Sequence, residues 1–171
     1  MAGTLTIDGV VVQFQEGETV LDAVNRSGIY LSQLCKEPER PALGACRTCL
    51  VEIESVRGFP ASCSTPCRPG MVVRTNSPEV EKIRRGVLEL TRGMLSPGDG
   101  ERRRSLGQFD QAIEHAAIPQ ACYQPLHRYP VDESKSFFVL DRDLCILCGR
   151  CVDACQQVQH IGAIALIGKG H

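Results

Sequence analysis

Apolar and polar residues alternate from the start of the chain. Leu5 and Ile7 are interleaved with Thr4 and Thr6, and Val10, Val12 and Phe14 continue the period of two. That alternation predicts two strands with one face turned to a core, and Asp8-Gly9 between them is a hairpin turn signal. At Thr19 the period lengthens. Val20, Leu21 and Val24 form a helical stripe, Thr19 stands as N-cap with Asp22 three residues on, and Gly28 supplies the stop. Cys35 opens a Pro-punctuated loop that ends in Cys46 and Cys49. A strand is expected through Val51 and Ile53, then Cys63, then a short strand from Met71 to Arg74 after the turn at Pro69-Gly70. Hairpin, helix, cysteine loop and strands, in that order, predict a β-grasp domain over residues 1–76.

The pattern then changes. Ser77-Pro78 reads as a cap and first-turn pair, and Val80, Ile83, Val87 and Leu90 recur at helical spacing until Ser96-Pro97-Gly98-Asp99-Gly100 breaks it. A second helix is expected to carry Leu106, Phe109, Ile113 and Ala116, and the Pro-interrupted stretch from Pro119 to Ser136 reads as linker. Residues 77–136 are therefore a helical linker region, and residues 137–171 a third segment. The fold class expected is α+β, with no internal repeat.

Composition narrows the chemistry. The net charge of −1 gives no field directed at nucleic acid or an anionic membrane. Arg102-Arg103-Arg104 is a short basic run, read as a solvated helix start with a docking contact as the alternative. The apolar run Ala163–Ile167 is far too short to span a bilayer. Aromatic residues make up 5% with no Trp, so the core must be aliphatic. Ten cysteines follow a start, Met1-Ala2-Gly3-Thr4, that lacks the basic and apolar regions of an export signal. The expectation is a reducing cytoplasm, where thiolates are free to take metal.

The most specific motif is Cys145-x₂-Cys148-x₂-Cys151-x₃-Cys155, the spacing of a bacterial ferredoxin iron–sulfur run, in which the fourth Cys serves a different cluster. Zinc and disulfides are the alternatives. A structural zinc site wants pairs of ligands separated by a dozen or more residues, which three thiols at consecutive two-residue gaps do not provide. A disulfide framework would need a secreted chain. A second group, Cys35-x₁₀-Cys46-x₂-Cys49-x₁₃-Cys63, differs from the plant-type spacing but shares its logic: a loop delivers most of the thiolates and a neighbouring strand the last. The small residues Gly44 and Ala45 let backbone N–H groups approach the sulfurs. The alternative for this group is four buried structural thiols. Grouped in this way, beside a ferredoxin run, they point to a [2Fe–2S] site.

At these residues the chain resembles a family. Leu34-Cys35, Gly44-Ala45-Cys46-Arg47-Thr48-Cys49-Leu50-Val51-Glu52-Ile53, Ser62-Cys63-Ser64-Thr65-Pro66 and Gly70–Thr75 are similar to the [2Fe–2S] loop of the large iron–sulfur subunit of complex I. They are similar also to the diaphorase small subunit of NAD-reducing hydrogenases and the N-terminal region of NAD-linked formate dehydrogenase catalytic subunits. The likeness returns from Phe137 through Cys155 and on to Ile164, covering roughly 110 residues in two blocks, a mechanism-bearing pattern. The resemblance implies that Cys35, Cys46, Cys49 and Cys63 hold a [2Fe–2S] cluster and that Cys145, Cys148 and Cys151 hold three corners of a [4Fe–4S] cluster. Cys67 has no counterpart and is read as a spare thiol.

Two departures matter. The family usually carries His-x₃-Cys-x₂-Cys-x₅-Cys after the Val80–Leu90 helix, whereas Met94–Ala117 contains no Cys and His115 stands alone. That further cluster is expected to be absent, with His115, Cys122 and His127 too spread to replace it. Two-cluster members also carry a later Cys run. This sequence stops at His171 after Gly168-Lys169-Gly170, which leaves the fourth [4Fe–4S] ligand open. Cys155, Cys122, His160 or a residue of a partner could take the place, or the chain is a fragment.

The function expected is electron transfer. A relay would pass single electrons between a formate dehydrogenase- or hydrogenase-type active site, formate dehydrogenase preferred, and a flavin/NAD module. Both sites would lie on partner subunits, because the chain has no G-x-G-x-x-G and no nucleophile–base constellation. An iron–sulfur redox sensor or cluster-pinned scaffold is the alternative from another class, and a zinc-stabilised interaction module is the third.

Overall fold

The structure is a computed structural model and describes residues 2–95, 107–124 and 127–167. It divides into two compact units, 1–86 and 87–171. The expected break at 96–100, the basic run 102–104, Leu106 and the last four residues lie outside the described residues.

The first unit is built on a four-stranded sheet. Strands β1 (Gly3–Ile7) and β2 (Val10–Phe14) pair antiparallel, with Leu5 opposite Val12. Asp8 and Gly9 take φ of 48° and 86°, two left-handed residues in succession, as a two-residue hairpin whose twist matches its strands requires. Strand β3 (Glu52–Ile53) and strand β4 (Val72–Arg74) complete the order β2-β1-β4-β3, with β4 parallel to β1 and antiparallel to β3. Asp8 also ties the hairpin to the end of β4: its carboxylate accepts the Thr75 N–H at 2.7 Å and the Thr75 hydroxyl at 2.6 Å.

Helix α1 (Val20–Arg26) begins as expected. Thr19 Oγ1 accepts the Asp22 N–H at 3.3 Å, and the Asp22 carboxylate accepts the Thr19 N–H at 2.9 Å. Gly28, at φ 71°, ends it. Its buried residues Val20, Leu21, Ala23 and Val24 join Leu5, Ile7, Val51, Ile53 and Val73 in one aliphatic core, the β-grasp arrangement. A Thr19→Ala chain should lose about 1 kcal/mol, because one orphan N–H at the helix start then has no side-chain acceptor. Urea unfolding with an unchanged slope is the measurement.

Three details differ from the alternation read along the chain. Val10 is 59% exposed, because it sits beside the turn on the edge strand, where nothing covers it. Val51 lies outside β3; its N–H reaches the Pro60 carbonyl at 3.1 Å and it is fully buried. Helix α2 (Pro78–Met94) starts at the predicted proline, but Val80 and Leu88 are buried while Ile83 and Leu90 are exposed. The apolar repeat therefore mixes two faces of one helix.

In the second unit α3 (Gln108–His115) buries Phe109, Ala112 and Ile113, and Ala116 lies just past its end. The Arg92 guanidinium donates to the Ile118 and Pro119 carbonyls, the latter at 2.8 Å. Asp132, in the region read as linker, pairs with Leu140 of the following segment, the two exchanging backbone hydrogen bonds at 2.9 Å. A 3₁₀ turn (Arg142–Leu144), α4 (Arg150–Asp153) and a π turn (Ala154–Val158) follow. No helix among the described residues is long and apolar enough to cross a membrane.

Candidate iron–sulfur sites

The first cysteine group converges on one end of the β-grasp core. Cys35, Cys49 and Cys63 are buried and Cys46 is half-buried. The thiols meet as two pairs. Cys46 and Cys35 share a side-chain hydrogen bond, which draws the Cys46 thiol down to about 5 against the opposing effect of burial and pushes Cys35 far up. Cys49 and Cys63 repeat the arrangement, with Cys49 drawn down to about 7 and Cys63 pushed far up. Each pair gives up one proton readily because the remaining one is shared. The pairs also feel one another: charge on Cys46 acts on both Cys49 and Cys63.

Local folding explains the placement. Arg47, at φ 55°, turns the chain between Cys46 and Cys49. The Cys46 N–H points at Cys35 Sγ at 3.5 Å. Thr48, fully buried, places Oγ1 3.2 Å from Cys46 Sγ and 3.2 Å from the Ser32 carbonyl. Cys63 does not come from a strand, as expected, but from a 3₁₀ turn (Ser62–Ser64). The cause is Ser62: its N–H and hydroxyl both donate to the Cys49 carbonyl, at 3.0 and 2.7 Å, which coils the backbone back toward Cys49. Sequence reasoning misses both Thr48 and Ser62; a small hydroxyl residue beside a Cys is the available signal. Cys67 is half-buried, with its thiol raised to about 11 by burial, and it takes no part in the pairs.

Among the described residues no three Cys, His, Asp or Glu groups close on a single ion position. Two sulfur pairs are nonetheless what a two-iron centre asks of a protein, since each iron takes two thiolates and inorganic sulfide completes its shell. A structural zinc ion would need four donors at one point. The donor set therefore fits a [2Fe–2S] cluster.

The second group lies on a loop of left-handed residues. Leu147 has φ 53° and Gly149 φ 78°, which wraps Cys145, Cys148 and the start of α4 round a common side. The Leu147 N–H donates to Cys145 Sγ at 3.4 Å. Burial raises the Cys145 thiol, and the charges of Cys148 and Cys151 raise it further. These three sulfurs are thus neighbours. Cys155 sits on the π turn and accepts the Ala163 N–H at 3.2 Å. Asp143 anchors the loop from behind, accepting the Tyr129 N–H at 3.1 Å, while Arg142 stacks over the Tyr129 ring at 4.5 Å. Cys145 and Cys148 are half-buried and Cys151 is exposed. Three neighbouring thiols on a loop that turns a backbone N–H to sulfur suit a cubane. His115, Cys122, His127 and His160 are all exposed.

Residues 3–78 match the family described as a 2Fe-2S iron-sulfur cluster binding domain, and residues 138–157 match the 4Fe-4S binding domain. The solved structure of an NAD+-reducing [NiFe]-hydrogenase in the H2-reduced state contains a chain with TM-score 0.85 and 30% identity, the alignment covering 98% of this chain and 71% of that one. The chain belongs to the iron–sulfur family shared by subunits of NAD-reducing hydrogenases and of NADH-quinone oxidoreductases. A subunit of the NADH-quinone oxidoreductase of Streptomyces coelicolor is 36% identical over 174 residues, 98% of this chain and 20% of that protein. Probable oxidoreductase YjgC of Bacillus subtilis is 36% identical over 170 residues, 93% of this chain and 16% of that protein. The chain thus spans a fifth or less of these two relatives. Like the family, it has a [2Fe–2S] domain followed by a [4Fe–4S] segment, and it is an iron–sulfur electron-transfer component.

Proposed function

We propose that the chain relays single electrons between the active site of a formate dehydrogenase- or hydrogenase-type oxidoreductase and a flavin/NAD module, both on partner subunits, in the cytoplasm. Formate dehydrogenase is the preferred attachment. The observation that carries the relay is the pairing of four thiols at the end of a β-grasp core, in a chain that also places three thiols on a ferredoxin loop. Cys35, Cys46, Cys49 and Cys63 would hold the [2Fe–2S] cluster, one iron to each pair, and Cys145, Cys148 and Cys151 three irons of the [4Fe–4S] cluster. Residues 1–76, 77–136 and 137–171 are the proposed functional divisions, with the middle one devoid of a cluster.

When bound, the clusters supply one-electron carriers whose potentials respond to net charge, hydrogen bonds to sulfur and exposure. The protein's part is to hold its sulfurs in fixed positions and to aim N–H groups at them. Cys46 and Leu147 do this from the backbone, while Thr48, sealed from water, holds its hydroxyl oxygen 3.2 Å from the Cys46 sulfur and donates its proton to the Ser32 carbonyl.

Anaerobic purification tests the reading. The chain should be brown and carry about six irons and six sulfides, the sum of a two-iron and a four-iron centre. About ten irons would mean a further cubane in the middle segment and would overturn the division given above. A colourless chain containing zinc would overturn the relay itself.

A further inference from the structure

The loop between Cys35 and Cys46 is short of backbone donors. Pro38 and Pro41 have no N–H, while the carbonyls around them still need partners. Lys36, the residue after Cys35, answers this. Its Nζ donates to the carbonyls of Glu37 at 2.6 Å, Pro38 at 3.1 Å and Arg40 at 2.7 Å. An ammonium has three donors and no acceptor, and three carbonyls of one turn match it. The Glu37 oxygen also accepts the Arg40 N–H at 3.3 Å, so the same turn is closed from the backbone. Lys36 itself is half-buried, not a freely solvated chain.

We infer that Lys36 is a positioning residue for the [2Fe–2S] site: its caged ammonium pins the turn that follows Cys35 and holds a positive charge on the residue next to that ligand, raising the reduction potential of the cluster. The inference rests on the ligand set proposed above. Pinning follows from the bonds, because charge-assisted hydrogen bonds are stronger than neutral ones and these three span four residues next to a ligand. The effect on potential follows from charge. A two-iron cluster with four thiolates is an anion that becomes more negative on reduction, so a nearby cation favours the reduced form. Confinement by three carbonyls keeps that cation from swinging into water, where its field would be screened. Glu37, Glu39 and Arg40 stand in the same loop, and a substitution at Lys36 leaves all three residues in the chain.

The test compares wild type, Lys36→Met and Lys36→Arg, each loaded anaerobically. The readouts are the [2Fe–2S] midpoint potential, followed by EPR of the reduced cluster, and the rate of iron release to a chelator. In Lys36→Met the potential should fall and release should quicken about tenfold, the factor that corresponds to 1.4 kcal/mol. Lys36→Arg keeps the charge but fits a three-carbonyl cage poorly with its planar fork, so its potential should stay near wild type while release quickens. If Lys36→Met fails to retain its cluster, Lys36→Arg carries the test: faster release than wild type supports the cage, and release at the wild-type rate overturns it. Wild-type potential and release in Lys36→Met overturn the inference. Equal falls in potential in both variants overturn the role of charge. A wild-type chain that never shows a [2Fe–2S] signal defeats the ligand assignment instead, which separates the two failures.

Discussion

Replacing Cys46 by serine is expected to abolish the [2Fe–2S] signal. Of the four paired thiols Cys46 is drawn furthest down, to about 5, by its partner Cys35, and the thiolate is the form that binds metal. Serine keeps the volume but offers a hard, weakly acidic hydroxyl where a soft sulfur is needed. One iron would then keep a single thiolate from its pair. The visible and EPR spectra of the two-iron centre should vanish and iron should fall by about two per chain, with the cubane signal left in place. Cys49→Ser should do the same through the other pair. Cys67→Ser is the control. Its thiol belongs to neither pair and is held up near 11 by burial, so the spectrum should be unchanged. Loss of the signal in Cys67→Ser, with retention in Cys63→Ser, would move the fourth ligand from Cys63 to Cys67.

The fourth corner of the cubane is the second large effect. Cys145 feels the charges of both Cys148 and Cys151, and Cys155 lies beyond them on the π turn with its sulfur accepting the Ala163 N–H. In runs of this spacing the fourth thiol serves a different cluster. Cys148→Ala should therefore destroy the [4Fe–4S] signal, whereas Cys155→Ala should leave most of it. Anaerobic EPR and iron counts on Cys148→Ala, Cys155→Ala and Cys122→Ala distinguish the cases. Loss in Cys122→Ala would bring that exposed thiol to the cluster. Retention in both Cys122→Ala and Cys155→Ala points to a ligand such as His160 or one from a partner chain. Loss in Cys155→Ala would make all four thiols of the run ligands of one centre.

Much of this is legible along the chain because short-range chemistry is written in short-range patterns. The Asp8-Gly9 hairpin, the Thr19–Asp22 capping box and the Gly28 stop depend on residues within a few positions of one another, and each appears where the residues predict it. The aliphatic core follows from the same periods. The ferredoxin run and the grouping of Cys35, Cys46, Cys49 and Cys63 likewise point to two kinds of cluster, because soft ligands at such spacing have few other uses.

Other features depend on what the folded chain brings alongside, and periodicity is blind to that. Ile83 and Leu90 repeat at helical spacing with Val80 but face outward, since burial is decided by which face meets a neighbour. Cys63 reaches its place on a 3₁₀ turn because Ser62 donates twice to the carbonyl of Cys49, thirteen residues earlier. The division of four thiols into the pairs Cys35–Cys46 and Cys49–Cys63 is likewise tertiary. By itself the sequence determined which elements form and which ligand chemistry they carry, through local sterics, capping and the softness of sulfur. Only the tertiary structure decided which sulfurs face each other, that Thr48 is sealed beside Cys46, and that Lys36 is held in a ring of carbonyls, because those contacts depend on the path of loops that no period describes.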